Sequence, residues 1–144
     1  MTFPRIAILF VLLLVGPTVL GQTKYDYLKS WSGAYPTYNK SGQRFFNLPE
    51  VREPLRKLLP NRIYFLLTRG HTKEGPLKLV RNYLTVLVCG SPKSYRCDNQ
   101  TMFVMNLDDG SMYVAFNFDI ADERRDFATK GNFSDLPSDV RAGH

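Results

Sequence analysis

The sequence predicts an α+β fold: an antiparallel β-sheet of about five strands, flanked by short helices and carrying one cystine loop. Three observations carry this reading. Apolar runs of strand length recur from Arg62 to Phe118 and are broken by turn residues. Asn47 to Leu59 instead has its apolar residues at helical spacing. The only two cysteines, Cys89 and Cys97, sit between two of the strand runs.

Composition bounds the rest. At 144 residues, with 44% hydrophobic and 13% aromatic content, the chain has enough apolar surface for a packed core and no composition break that divides it. The net charge of +6 favours an acidic partner. Nucleic acid is not expected, because no basic run exceeds two residues.

Met1 to Gly21 reads as a secretory signal peptide. Arg5 supplies the positive start, Ile6 to Val15 the apolar run, and Gly16-Pro17 the break. The competing reading is a membrane anchor, but the run is shorter than the roughly 20 residues that span a bilayer. The expectation is therefore one domain over residues 22–144, periplasmic or secreted, with no membrane span. Export also permits a disulfide.

Tyr25, Tyr27, Leu28 and Trp31 fit a short amphipathic helix with Trp31 in the core. The helix Asn47 to Leu59 has Asn47 and Glu50 placed as a capping box, and Leu48, Val51, Leu55 and Leu58 on one face. Pro54 is expected to kink or split it. Arg62 to Thr68 reads as a buried strand, and Arg69 to Gly75 as a polar connection with an exposed His71.

Pro76–Val80 and Tyr83–Val88 read as strands around an Arg81-Asn82 turn. Thr101–Leu107 and Met112–Phe118 read as a hairpin closed by Asp108-Asp109-Gly110-Ser111. Both hairpin strands are apolar on nearly both faces, which implies a sheet covered on each side. Asp119 to Lys130 reads as a solvated loop or short helix. Asp135 to Val140 reads as a last helix packing through Phe133, Leu136 and Val140.

Pairing Cys89 with Cys97 staples the loop Gly90, Ser91, Pro92, Lys93, Ser94, Tyr95 and Arg96, which is the candidate partner-binding site. Other constellations are weaker. Two cysteines with His71 and His144 give no metal-ligand spacing, so neither metal nor cofactor is expected. Turn chemistry accounts for Asp108 and Asp109. With no Gly-rich phosphate loop or nucleophile-elbow pattern, the expectation is a binding protein rather than an enzyme. Asn-x-Ser/Thr triplets start at Asn39, Asn99 and Asn132.

The order of helix, strands, Leu87-Val88-Cys89, cystine loop, Cys97-Asp98-Asn99, Val104-Met105-Asn106-Leu107-Asp108-Asp109-Gly110 and Tyr113-Val114-Ala115 resembles the Ivy family. These are secreted bacterial inhibitors of vertebrate (C-type) lysozyme. The resemblance spans roughly Phe45 to Phe118 and makes the chain similar to a divergent member. It implies an antiparallel sheet with short flanking helices, and a cystine loop that plugs a lysozyme cleft. The family's loop is shorter, with Lys-Pro-His-Asp or similar between its cysteines. Here Pro92 is present but neither His nor Asp is, so the two cysteines are what carries over. The implied partner is a lysozyme-like hydrolase; because such enzymes work with two carboxylates in a cleft, Lys93 or Arg96 is expected to pair with them and Tyr95 to stack where a sugar lies. A binding or immunity module with a different partner is the alternative, and a homodimer is compatible with either.

Overall fold

A computed structural model describes residues 23–38, 40–94 and 96–143. The expected signal peptide, Asn39, Tyr95 and His144 lie outside the described residues.

Six antiparallel strands make one sheet: β1 (Lys73–Glu74), β2 (Lys78–Val80), β3 (Tyr83–Cys89), β4 (Asn99–Asn106), β5 (Met112–Phe118) and β6 (Glu123–Ala128). The order is β1-β3-β4-β5-β6, and β2 shares the outer edge of β3 with β1. The α+β class, the strand number and the disulfide Cys89–Cys97 are as the sequence predicts.

Register follows from alternation. Leu84 faces Met105, Val86 faces Phe103, and Phe103 faces Val114 across neighbouring strands. These side chains share one face with Val88, Met112 and Phe116, and all are buried in the main core. The opposite face carries Val104 and Tyr113, covered by Phe133, Leu136 and Val140. The C-terminal segment thus packs through the three expected residues. It is a 3-10 turn Phe133–Asp135 followed by a helix Ser138–Ala142, not one helix.

The main core is roofed by a 3-10 helix Asp26–Trp31, the helix α1 (Pro49–Leu58) and the helix α2 (Asn61–Phe65). Leu28 and Trp31 are buried as expected. Trp31 packs edge-on against Phe45, and Phe45 and Phe46 both pack edge-on against Phe103 of β4. This aromatic chain ties the N-terminal segment to the sheet.

Several expectations are corrected. Asn47 does not cap α1. It ends a 3-10 turn Phe45–Asn47, Leu48 takes the cap position, and Glu50 instead accepts a hydrogen bond of 2.8 Å from the Tyr27 hydroxyl. Pro54 lies inside α1 without splitting it. The break comes at Leu59-Pro60, where both residues take extended ψ values and Pro60 stands at the N-cap of α2.

Arg62 to Thr68 is helical, not a strand. From Arg62 to Gly70 the buried residues, Ile63, Leu66, Leu67 and Gly70, repeat at helical spacing, while Arg62, Phe65 and Arg69 face outward. The last turn, Leu66–Gly70, widens to a π-helix. The charged segment after Phe118 is neither loop nor helix alone. A 3-10 turn Asp119–Ala121 leads into β6, an edge strand whose charges face water. Arg69 to Gly75 contains β1, and Pro76 and Leu77 precede β2 rather than joining it. Leu77 pairs instead with the N-terminal segment, its carbonyl accepting from Gly33 and its N–H donating to Ala34.

Candidate functional site

The cystine loop leaves the sheet between its two central strands. β3 and β4 pair down to Cys89 opposite Gln100, and the Gly90 N–H then donates to the Asn99 carbonyl at 3.1 Å. Gly90 turns the chain with φ +87°. Its Cα lies against Thr72, so that a Cβ there would come within 1.9 Å of Thr72 Oγ1. On its other side Cys89 is held by β1, through Lys73, and by the Thr72 N–H, which donates to the Cys89 carbonyl at 3.0 Å.

Beyond Gly90 the loop is itself a small hairpin. Ser91 and Ser94 exchange two backbone hydrogen bonds, of 3.0 and 3.1 Å. Pro92 and Lys93 form its exposed tip. The Ser94 hydroxyl reaches Asp98 Oδ2 at 3.3 Å, and the disulfide closes the base with the two Cα atoms 5.0 Å apart. Arg96 is exposed. Lys93 and Arg96 therefore stand beside solvent on a loop closed at its base by the disulfide.

A groove of about 520 Å³ runs along one side of this loop. Besides the loop it is lined by Phe65, Leu66, Phe118 and Ile120. None of these four was read from the sequence as a site residue. Two of them come from the segment expected to be a strand, and two from the end of β5 and the turn after it. Arg62 also lines the groove, its guanidinium 5.4 Å from the Phe116 ring centre and 5.9 Å from that of Phe118. It meets Glu123 at 3.5 Å.

His71 departs from expectation in the other direction. Its side chain is only 4% exposed and does have a carboxylate partner. Nδ1–H donates to the Leu66 carbonyl at 2.9 Å, and Nε2 lies 2.9 Å from Glu74 Oε2. The other Glu74 oxygen accepts from the Thr37 hydroxyl. Both ring nitrogens are thus occupied by the protein itself. The arrangement bolts the π-turn to β1 and offers no free acid or base to a substrate. The carboxylate three residues on, Glu74, was the available signal, hidden because the segment reads as loop.

Asp108 and Asp109 are turn residues, as the sequence indicates. Asp109 Oδ1 accepts from the Ser111 N–H at 2.9 Å and from the Ser111 hydroxyl. That hydroxyl bond, opposed by partial burial and aided by the Ser111 N–H and Lys130, holds the Asp109 carboxyl below its ordinary range. Asn99 of the second glycosylation triplet is buried in β4, which makes it a poor acceptor in the folded chain. Asn132 of the third caps the Phe133–Asp135 turn.

Comparison with protein-family models, with curated proteins and with solved structures gives no match. Among the described residues no group of three or more His, Cys, Asp or Glu side chains is placed to hold a metal ion, and no helix is long and apolar enough to cross a membrane.

Proposed function

We propose that the chain is an exported inhibitor of the Ivy-like type, which blocks the cleft of a muramidase or related cell-wall hydrolase with its Cys89–Cys97 loop. One observation carries the reading: the loop is preformed. The disulfide, the Ser91–Ser94 hydrogen bonds and the seat of Gly90 on Thr72 hold its tip before any partner arrives. Preorganisation of this kind saves about 0.5–1.5 kcal/mol for each side chain that is not ordered on binding.

The chemistry of the target supports the same reading. Glycosidases of this class work with two carboxylates in a cleft, at least one of them ionised in the resting enzyme. Lys93 or Arg96 meets that charge, and Tyr95 stacks where a sugar ring lies. The test is inhibition of a C-type lysozyme and of a panel of other muramidases, before and after reduction of the chain. Inhibition lost on reduction is the expected result. A folded, oxidised chain that inhibits none of them removes the proposal.

A second reading, a binding or immunity module on the same scaffold with a non-lysozyme partner, is favoured by one feature. The loop interval Gly90 to Arg96 lacks the His and Asp of the usual inhibitory loop. A stoichiometric complex with an exported toxin that is not a hydrolase, formed by a chain that leaves muramidases active, is the outcome that selects it.

A further inference from the structure

We infer that the groove between the cystine loop and the Asp119–Ala121 turn seats an acidic segment of a protein partner. That segment places one large apolar side chain between Phe65 and Ile120, and its carboxylates against Lys93, Arg96 and Arg62. The inference deepens the proposed function and rests on its premise that the loop meets a protein.

The apolar half of the argument comes from exposure. Ile120 is 74% exposed, more than any other large hydrophobic residue among the described ones. It stands on a 3-10 turn with no buried residue of its own. Phe65 lines the same groove and is 36% exposed. Its ring packs against Gly70, where an added Cβ would come within 2.3 Å of the ring. The Arg69 guanidinium, 5.4 Å from the ring centre, covers it further. Phe65 and Ile120 thus both present apolar surface to the same groove. A single apolar residue inserted between them would remove both from water, and side chains that fill such pockets dominate the energy of protein interfaces.

The polar half is charge complementarity. Three cations line the groove, Arg62, Lys93 and Arg96, against one carboxylate, Asp98. Asp98 is engaged by the Ser94 hydroxyl. Arg62 is shared with Glu123 at 3.5 Å, a partly exposed pair that leaves guanidinium donors free for a second carboxylate. A basic rim around an apolar slot selects a segment whose large side chain is flanked by Asp or Glu, and disfavours a basic one. A protein segment fits better than a small amphipathic anion because the groove is continuous with the loop tip. Pro92 and Lys93 belong to both.

The test uses the full oxidised chain and the probe peptide acetyl-Asp-Glu-Trp-Glu-Asp-amide, followed by amide chemical shifts. The expected result is saturable shifts at Phe65, Lys93, Phe118 and Ile120 at peptide concentrations up to about 1 mM. Replacing the peptide's Trp by Ala, or Ile120→Glu in the protein, should weaken binding at least about tenfold. Ile120 is in solvent, so its replacement leaves the fold intact. Raising the salt from roughly 50 to 300 mM should weaken binding as well.

No shifts, unchanged affinity for I120E, equal binding of the peptide with Lys in place of Asp and Glu, or binding of decanoate but not the peptide would each overturn the inference. A parallel muramidase assay separates it from the reading beneath it. Peptide binding without inhibition supports the groove and removes the inhibitor proposal. Inhibition without peptide binding overturns the groove alone.

Discussion

Gly90 and Thr72 meet where no side chain fits: a Cβ on Gly90 would lie 1.9 Å from Thr72 Oγ1, at a φ of +87°. Gly90→Ala therefore carries both a clash and a left-handed backbone. It should destabilise the protein by about 2 kcal/mol, read as a lower urea midpoint with an unchanged slope. Adding Thr72→Ala removes the nearest atom and should recover part of the loss, while the backbone cost stays. Full wild-type stability in the single variant would show that the loop is not seated on Thr72.

Removing the disulfide with Cys89→Ser and Cys97→Ser should lower stability by about 2–3 kcal/mol, the loop-closure entropy of a short ring. The sheet should survive, since β3 and β4 pair along their whole length without the bridge. Far-ultraviolet circular dichroism should thus stay native, while amide exchange in residues 90–96 quickens. Loss of the entire sheet signal would mean the bridge holds the fold and not the loop alone.

His71→Ala removes the group between the Leu66 carbonyl and the Glu74 carboxylate. It leaves a largely buried carboxylate with the Thr37 hydroxyl as its remaining side-chain partner. A cost of about 3 kcal/mol is expected, measurable by chemical denaturation. His71→Gln should cost less, because an amide can still donate to one of the two acceptors. If His71 were instead an exposed loop residue, the alanine variant would match the wild type.

Asp109 gives a pH prediction. Its carboxyl is held below the ordinary value chiefly by the Ser111 hydroxyl. A depressed folded-state pKa contributes stability that is present above the unfolded value, near 3.8, and is lost as pH falls through the folded one. Ser111→Ala should raise the Asp109 pKa toward 3.8, seen by carboxyl carbon shifts, and flatten that part of the acid limb. The effect on stability is small, since the Asp109 side chain is partly in water. An Asp109 titration unmoved by S111A would contradict the assignment.

The central sheet was legible because three of its strands carry their own pattern. Tyr83–Cys89, Asn99–Asn106 and Met112–Phe118 alternate or run apolar, and Gly110, at φ +76°, closes the turn that Asp-Gly signals. Ile63-Tyr64-Phe65-Leu66-Leu67 misleads for a physical reason. Its residues favour strands by propensity, yet the core takes Ile63, Leu66 and Leu67, a helical repeat set by packing. Arg124 and Arg125 conceal a strand because an edge position lets both faces carry charge.

The stapled loop was likewise legible from its cysteines. The groove was not, because Phe65 and Ile120 are far apart in sequence and are brought to one side of the loop only by the tertiary arrangement.

The most direct measurement of the central claim compares muramidase inhibition by the wild-type chain with that by the triple variant Lys93→Ala, Tyr95→Ala, Arg96→Ala. All three changes are in the loop between Cys89 and Cys97, so the sheet beneath should be untouched. If the loop blocks the cleft, the wild type inhibits at least one muramidase and the triple variant is weaker by at least about 100-fold, near 3 kcal/mol. Equal inhibition by both proteins would place the interface elsewhere and contradict the account.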